Sequence, residues 1–376
     1  MGASSRRAVL GMGAGAGAGV ALGAAAPPAL ARQASAARPT PIGRLDGLPG
    51  NKSISSAGFH SDGRHLLAQT SAGAWYWDVS RPSHPVKAGE MPAGFGSLQQ
   101  TLPDRPVAAS TAPSGLDLLF WNLVDPARPV KLSAYGLPRL PERWGLEFSP
   151  DGKRFALVRL SGMAGSQHIT LVDTSDPARP TDYGSAWNFS DPNGKVRCMT
   201  FVVSPDGARS CLAMDFGSEL GDWWMLYTTD PINPGILIDG VPCVDSLGGF
   251  AHHIGSGLIA ATAWNGHAPY LKLWRWALDP QRGYRLSHLQ DLPASEIHAK
   301  NRYLAFSPDG RLLAIVCDTT VELFGIQGTG SAARLRHRAS LSGAGLAAFS
   351  PNSRTLLTQG PTGTGALLWG VSRYAG

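Results

Sequence analysis

Short apolar runs broken by turn residues, rather than long amphipathic stretches, fill the chain from about residue 38 onward. Leu146 and Phe148 lead into a Ser-Pro-Asp-Gly tetrapeptide and Phe155, Leu157 and Val158 follow it; Leu304 and Phe306 lead into another copy, followed by Leu312 to Val316. These runs are β-branched, aromatic and aliphatic, and Gly and Pro interrupt them too often for helices, so each predicts a strand. A third run follows each turn: Trp75 to Val79, Leu118 to Leu123, Ile169 to Val172, Trp223 to Tyr227, Tyr270 to Trp276, Val321 to Phe324 and Ala366 to Trp369.

The tetrapeptide stands at 149–152, 204–207 and 307–310. Degenerate copies are His60-Ser61-Asp62-Gly63, Leu102-Pro103-Asp104-Arg105, Ile254-Gly255-Ser256-Gly257 and Ser350-Pro351-Asn352-Ser353, which puts turns near 62, 104, 151, 206, 255, 309 and 352. Proline presets φ for the turn and glycine accepts the left-handed fourth position, so each copy predicts a hairpin. A second turn phrase comes after the third run, as in Arg81-Pro82-Ser83-His84-Pro85-Val86 and Asp125-Pro126-Ala127-Arg128-Pro129-Val130. Prolines cannot donate to a ladder, so this phrase belongs before an outer, edge strand. One unit is then four antiparallel strands, and seven turns predict seven units in a repeat architecture.

With these residues the chain resembles the WD-repeat family of β-propellers, in an actinobacterial-type variant whose third strand ends in an Asp-Pro-Ala-Arg-Pro phrase. The marks are the Phe-Ser-Pro-Asp-Gly turns at 148–152 and 306–310, the Trp77-Asp78 pair, and the near-matches Trp121-Asn122, Trp369-Gly370 and Phe324-Gly325. The resemblance covers about residues 38–376 and implies an all-β, seven-bladed propeller of four-stranded blades. No repeat opens with the Gly-His dipeptide usual in the family, and the family's Asp-His-Ser-Trp tetrad cannot be assembled in most units. The last turn leaves too little chain for an outer strand. Arg38 to Leu45 resembles the outer-strand phrase at 81–88, so residues about 41–46 are expected to close the last blade.

Residues 1–36 read as a leader rather than as part of the propeller of 37–376. Arg6-Arg7, within Ser5-Arg6-Arg7-Ala8-Val9-Leu10, resembles the twin-arginine export motif; a Gly/Ala-rich stretch and small-residue cleavage options between Ala31 and Ala36 follow. The expected address is extracellular or cell-envelope, with no stable membrane span after cleavage. The leader carries Arg6, Arg7 and Arg32 and no acid, so the net charge falls from +6 to +3 on its removal. That small excess, without Lys/Arg runs, argues against a nucleic-acid partner.

Four cysteines in an exported protein invite disulfides, but hairpin counting pairs Cys211 with about Phe201, placing Cys198 on the opposite face. Cys317 reads as a buried strand thiol and Cys243 as part of an inter-blade connection. No Cys-x-x-Cys, His-Glu-x-x-His or Gly-x-Ser-x-Gly motif occurs, and Asp191-Pro192-Asn193-Gly194 supplies too few carboxylates for calcium. No catalytic residue, metal or cofactor is therefore assigned. His252-His253, adjacent on a strand, reads as structural.

Binding residues are sought on the propeller face that carries the second-to-third-strand loops and inter-blade connections. Trp187 and Phe189, placed in the longest inter-blade insertion, head the candidates, with Glu142, Arg143, Asp222, Trp223 and His267 on the same rim. Aromatics with a few charges on loops suit a recognition surface. The function expected is an exported, monomeric, non-catalytic module that binds a protein, peptide or envelope component. The alternative is an envelope hydrolase or lyase with its site at the central channel.

Overall fold

The computed structural model describes residues 39–375 except 49–52, 138–142, 161–166, 190–194, 207–209, 219–220, 229–236, 244–245, 265–268, 280, 282, 294–302, 318 and 361–364; in several strands of the third to fifth blades it describes the backbone alone. The leader, with Arg6 and Arg7, lies outside the described residues. Pro39–Gly376 forms one compact unit.

Four-stranded antiparallel sheets follow one another along this unit. Six are each made of four consecutive strands, spanning Ile54–Glu90, Ser97–Gly136, Arg143–Phe189, Lys195–Cys243, Ser246–Pro293 and Leu304–Ser342. The expected seven-bladed propeller is thereby corrected to six four-stranded blades among the described residues, while the all-β class holds. The remaining sheet is a composite: Ala344–Phe349, Thr355–Gln359 and Ala366–Gly370 come from the end of the chain, and its outer strand is Gly43–Leu45 from the beginning.

The first strand of each blade faces the axis, and the first strand of the composite sheet, Ala344–Phe349, touches that of the first blade, Ile54–Phe59. Buried clusters bind each sheet to the next. Leu67 and Tyr76 pack with Phe95, Leu98 and Trp121 between the first two blades, while Leu45, Leu346 and Leu368 of the composite sheet pack on Phe59 and Trp75 of the first. The arrangement is a β-propeller with its apolar side chains between the sheets.

The tetrapeptides at 149–152 and 307–310 form the expected hairpin turns, and Gly207 of the third copy lies outside the described residues. Ser149 N–H donates to Arg154 O at 2.9 Å and Gly152 N–H to Ser149 O at 2.8 Å, with the same pair of bonds at Ser307/Gly310 and Ser350/Ser353. The fourth position is left-handed, with φ of 66°, 65° and 67° at Gly63, Gly152 and Gly310, and even Ser353 is held at 59°.

The closing strand is shorter than residues 41–46. Gly43 pairs with Leu368, Arg44 with Leu367 and Leu45 with Ala366, and Ile42 N–H adds a bond to Leu368 O at 2.7 Å. Pro39 and Pro41 have no N–H to extend the ladder, and Gly47, at φ 77°, turns the chain away. Leu45, 1 % exposed, anchors the strand in the core. Gly43 is required: a Cβ there would run into the backbone carbonyl of Pro82 in the first blade.

Two side-chain devices recur in register. Trp121 Nε1–H donates to Ser110 Oγ at 3.0 Å, and Trp369 Nε1–H to Thr358 Oγ1 at 2.9 Å. The hydroxyl stands two residues beyond the strand partner of the tryptophan, a place that Ala68 holds in the first blade, and the buried Trp77 Nε1 accordingly has no partner among the described residues. One residue further on, Gln69 bridges to the second blade, donating to Gly96 O at 2.6 Å and accepting from Leu98 N–H; the equivalent Gln359 donates to Ile54 O at 3.1 Å. The second bond ties the composite sheet to the first blade.

Candidate functional site

Several residues of the sequence-derived rim stand on strands. Trp187 and Phe189 are not in a loop: the outer strand of the third blade runs Thr181–Phe189, with Phe189 opposite Gln167 and Asn188 opposite His168. The strand-forming run Tyr183 to Phe189 overrides the Gly184 that had suggested a loop, and two bulges absorb the register shift. Asp222 and Trp223 likewise stand inside a strand, Gly221–Thr228, opposite Gly217 and Phe216. Arg143 opens the inner strand of the third blade, opposite Arg159. Only the backbone of these five is described, and Glu142 and His267 lie outside the described residues.

The thiols also move. Cys211 pairs with Val202 rather than Phe201, Cys198 faces Asp215 across the same ladder, and Cys243 ends a strand, Leu237–Cys243, instead of lying in a connection. Cys211 and Cys317 are buried. His253 braces two blades against each other, since Nδ1 meets Ser256 Oγ at 2.8 Å and Nε2 meets Pro308 O of the next blade at 3.1 Å. Burial, with the neighbouring His253, holds His252 down at about 3. Glu322 on the sixth blade meets His337 Nε2 at 2.7 Å and accepts from Ser340 Oγ at 2.6 Å. Both partners reach the same carboxylate oxygen and the serine proton points at it, so this is a braced acid rather than a nucleophile-base-acid relay.

The axis of the propeller holds the feature that remains. A cavity of about 330 Å³ is lined from the inner strands and their approaches in five consecutive blades. Gln99 and Gln100 come from the second blade, Leu146, Glu147 and Phe148 from the third, Met199 from the fourth, Gly249 and Phe250 from the fifth, and Tyr303 and Leu304 from the sixth. Strand alternation gives this wall both amides and apolar faces.

Glu147 is its chemical centre. It sits two residues before the first turn residue of its blade, where the other sheets carry Gly58, Gln100, Val202, His252, Ala305 and Ala348. Thr200 Oγ1 of the fourth blade lies 3.4 Å from Glu147 Oε1. Burial pushes the carboxyl up to about 8, against the smaller opposing effect of the Thr200 hydroxyl. At neutral pH the group is mostly a protonated acid, able to donate as well as accept. Tyr303, half open to the cavity, has its phenol pushed up by burial and by the charge of Glu147. Sequence reading passed over Glu147 because it looks like one of many strand carboxylates; the available signal was its place in the repeat, where none of the siblings named above is an acid.

No protein-family model matches the chain, and no curated protein is similar to it in sequence. Solved structures do resemble it. Kuenenia stuttgartiensis hydrazine synthase aligns over 88 % of this chain and 99 % of its own, at TM-score 0.56 and 13 % identity. The Myceliophteria thermophila Cps50 (Swd1) beta-propeller domain covers 89 % and 100 %, at TM-score 0.58 and 14 % identity. An oligogalacturonate lyase in complex with manganese covers 86 % and 90 %, at TM-score 0.55 and 11 % identity. At these identities the likeness is one of fold, the β-propeller.

Proposed function

We propose that this protein is an exported binding module whose axial cavity takes an uncharged, hydrogen-bonding segment of a protein or peptide partner. The single observation that supports this most is the wall itself: two glutamine amides, a tyrosine hydroxyl and a carboxyl kept neutral by burial, set among Leu146, Phe148, Met199 and Phe250. Such a lining hydrogen-bonds neutral polar groups in both directions and packs on apolar ones, whereas an ionised ligand would meet no fixed counter-charge from the residues that line it. A volume of about 330 Å³ suits a few side chains of an inserted segment, not a whole domain. Export rests on Arg6-Arg7 and the Gly/Ala-rich stretch behind them.

Selection of peptides from a displayed library on the purified protein tests the reading. The winning sequence is expected to lose at least tenfold in affinity with Glu147→Ala and with Tyr303→Phe. Equal affinity for both variants would put the binding surface elsewhere.

A second reading has one observation in its favour. A carboxyl poised at about 8 can exchange a proton near neutrality, as the acid or base of a lyase or hydrolase must, and the fold is shared with an oligogalacturonate lyase. Turnover of an envelope polysaccharide or peptide that disappears in Glu147→Gln, while the variant stays folded, would favour it over binding alone.

A further inference from the structure

The repeated turn supplies its own control for a different site. In four turns the first residue is a serine whose hydroxyl lies beside the third residue: Ser149 Oγ donates to Asp151 Oδ1 and Ser204 Oγ to Asp206 Oδ1 at 2.5 Å each, Ser307 Oγ to Asp309 Oδ1 at 2.6 Å, and Ser350 Oγ meets Asn352 Oδ1 at 2.8 Å. The hydroxyls of Ser149, Ser307 and Ser350 also accept the N–H five residues on, from Arg154, Leu312 and Thr355, at 2.9 Å each. The first blade keeps the backbone of this turn, with His60 N–H donating to His65 O and Gly63 N–H to His60 O, both at 2.9 Å. It replaces the serine by His60, and at the place of Arg154, Leu312 and Thr355 it puts a second histidine, His65.

Three donor groups meet as a result. Asp62 Oδ1 lies 3.0 Å from His60 Nδ1, and Asp62 Oδ2 lies 2.6 Å from His65 Nδ1. One donor atom from each of the three residues falls within 4.8 Å of the others. The rings are held: His60 is 5 % exposed, and the His65 ring stands edge-on to it at 6.0 Å. Asp62 is held too, by the N–H groups of Arg64 at 2.7 Å and His65 at 3.0 Å on Oδ1.

The arrangement is unsatisfied as it stands. His60 Nδ1 faces both the Asp62 N–H at 3.2 Å, which can only donate, and the Asp62 carboxylate at 3.0 Å, which can only accept. One ring nitrogen serves one of these at a time, and His60 Nε2, buried, has no partner among the described residues. A positive centre between the rings and the carboxylate can take one lone pair from each of His60 Nδ1, His65 Nδ1 and Asp62, with the protons of both rings on Nε2. Two imidazoles and one carboxylate select a borderline divalent ion over calcium or magnesium, and partial exposure of Asp62 and His65 leaves room for water to complete the shell.

We propose that the first-blade turn binds one divalent transition-metal ion of the zinc or nickel type, through His60 Nδ1, an Asp62 carboxylate oxygen and His65 Nδ1. The site is separate from the axial cavity, whose lining shares none of its residues, and it stands whether or not the cavity binds a peptide. Cys-x-x-Cys and His-Glu-x-x-His searches pass over it because its spacing, two and then three residues around a turn, belongs to neither motif.

The test is calorimetric titration of the untagged, full-length protein with zinc chloride, together with the absorption of its cobalt(II) complex. One ion per chain is expected. His60→Ser, which installs the serine of the sibling turns, and His65→Arg, which installs the third-blade residue, are each expected to weaken binding by about 10–100-fold, with the circular dichroism and metal-free melting temperature of the parent. A tenfold excess of calcium is expected to leave the zinc isotherm unchanged. Absence of zinc binding by the parent, binding unaltered in His65→Arg, or equal competition by calcium would each overturn the assignment.

Discussion

The second blade and the composite sheet have the same interior and different edges. Both carry a tryptophan that donates to a strand hydroxyl, Trp121 to Ser110 and Trp369 to Thr358, and both bury Leu and Phe or Trp against their neighbours. The outer strand of the second blade is seven residues, Val130–Gly136, delivered by its own turn; that of the composite sheet is three, Gly43–Leu45, delivered from the far end of the chain. Packing between sheets is therefore indifferent to how the chain is connected, whereas the edge of the ring depends on one short ladder and on the absence of a side chain at Gly43.

That contrast is most exposed at the latch. Gly43→Val is expected to cost about 3 kcal/mol, through the clash with the Pro82 carbonyl and loss of the ladder. Gly136→Val, at the edge of the second blade where a Cβ meets nothing within 4 Å, is expected to cost little. Urea unfolding of the two variants gives the comparison; equal losses would mean that the latch carries no special share of the closure.

Next in size is the pH dependence set by Glu147. Its pKa is about 8 in the fold and 4.5 ordinarily, so the folded state holds the proton over a range in which the unfolded chain has released it. Stability is then fully present below about pH 4.5 and declines as pH rises toward about 8, by at most roughly 1.4 kcal/mol per unit. Glu147→Gln is expected to flatten this slope, as read by urea midpoints from about pH 5 to about pH 8. A slope unchanged in the variant would assign the titration to another group.

Smaller effects test the likeness of the interiors. Ser110→Ala and Thr358→Ala each leave a buried indole N–H without its acceptor and are expected to cost about 1–3 kcal/mol. Ala68→Ser supplies the hydroxyl that Trp77 lacks and is expected to raise stability by about 0.5–1 kcal/mol. Thermal melts of the three variants, alone and with Trp77→Phe, check whether the gain runs through that indole.

Much of the architecture could be read from the chain because turns are local. Ser149-Pro150-Asp151-Gly152 closes its hairpin through atoms within six residues, and the outer-strand prolines exclude themselves from a ladder wherever they stand. Strand ends were less legible. Thr181–Phe189 runs through a stretch that reads as a loop, since an edge can continue wherever the neighbouring strand offers partners, and Gly221–Thr228 begins two residues before the run Trp223 to Tyr227. Trp187, Phe189 and Asp222 of the candidate rim stand on such strand extensions rather than in loops.

The periodic unit, the turn chemistry and the origin of the closing strand were thus set by the order of residues alone, because they follow from φ preferences, missing N–H groups and alternation over a few positions. Folding in three dimensions settled the rest: that six blades are self-contained and one sheet is shared, and that Glu147 becomes a neutral acid. Those depend on what distant segments bring within a few ångströms. A carboxylate changes its proton affinity through the water that its neighbours remove, and no residue carries that information in its own position.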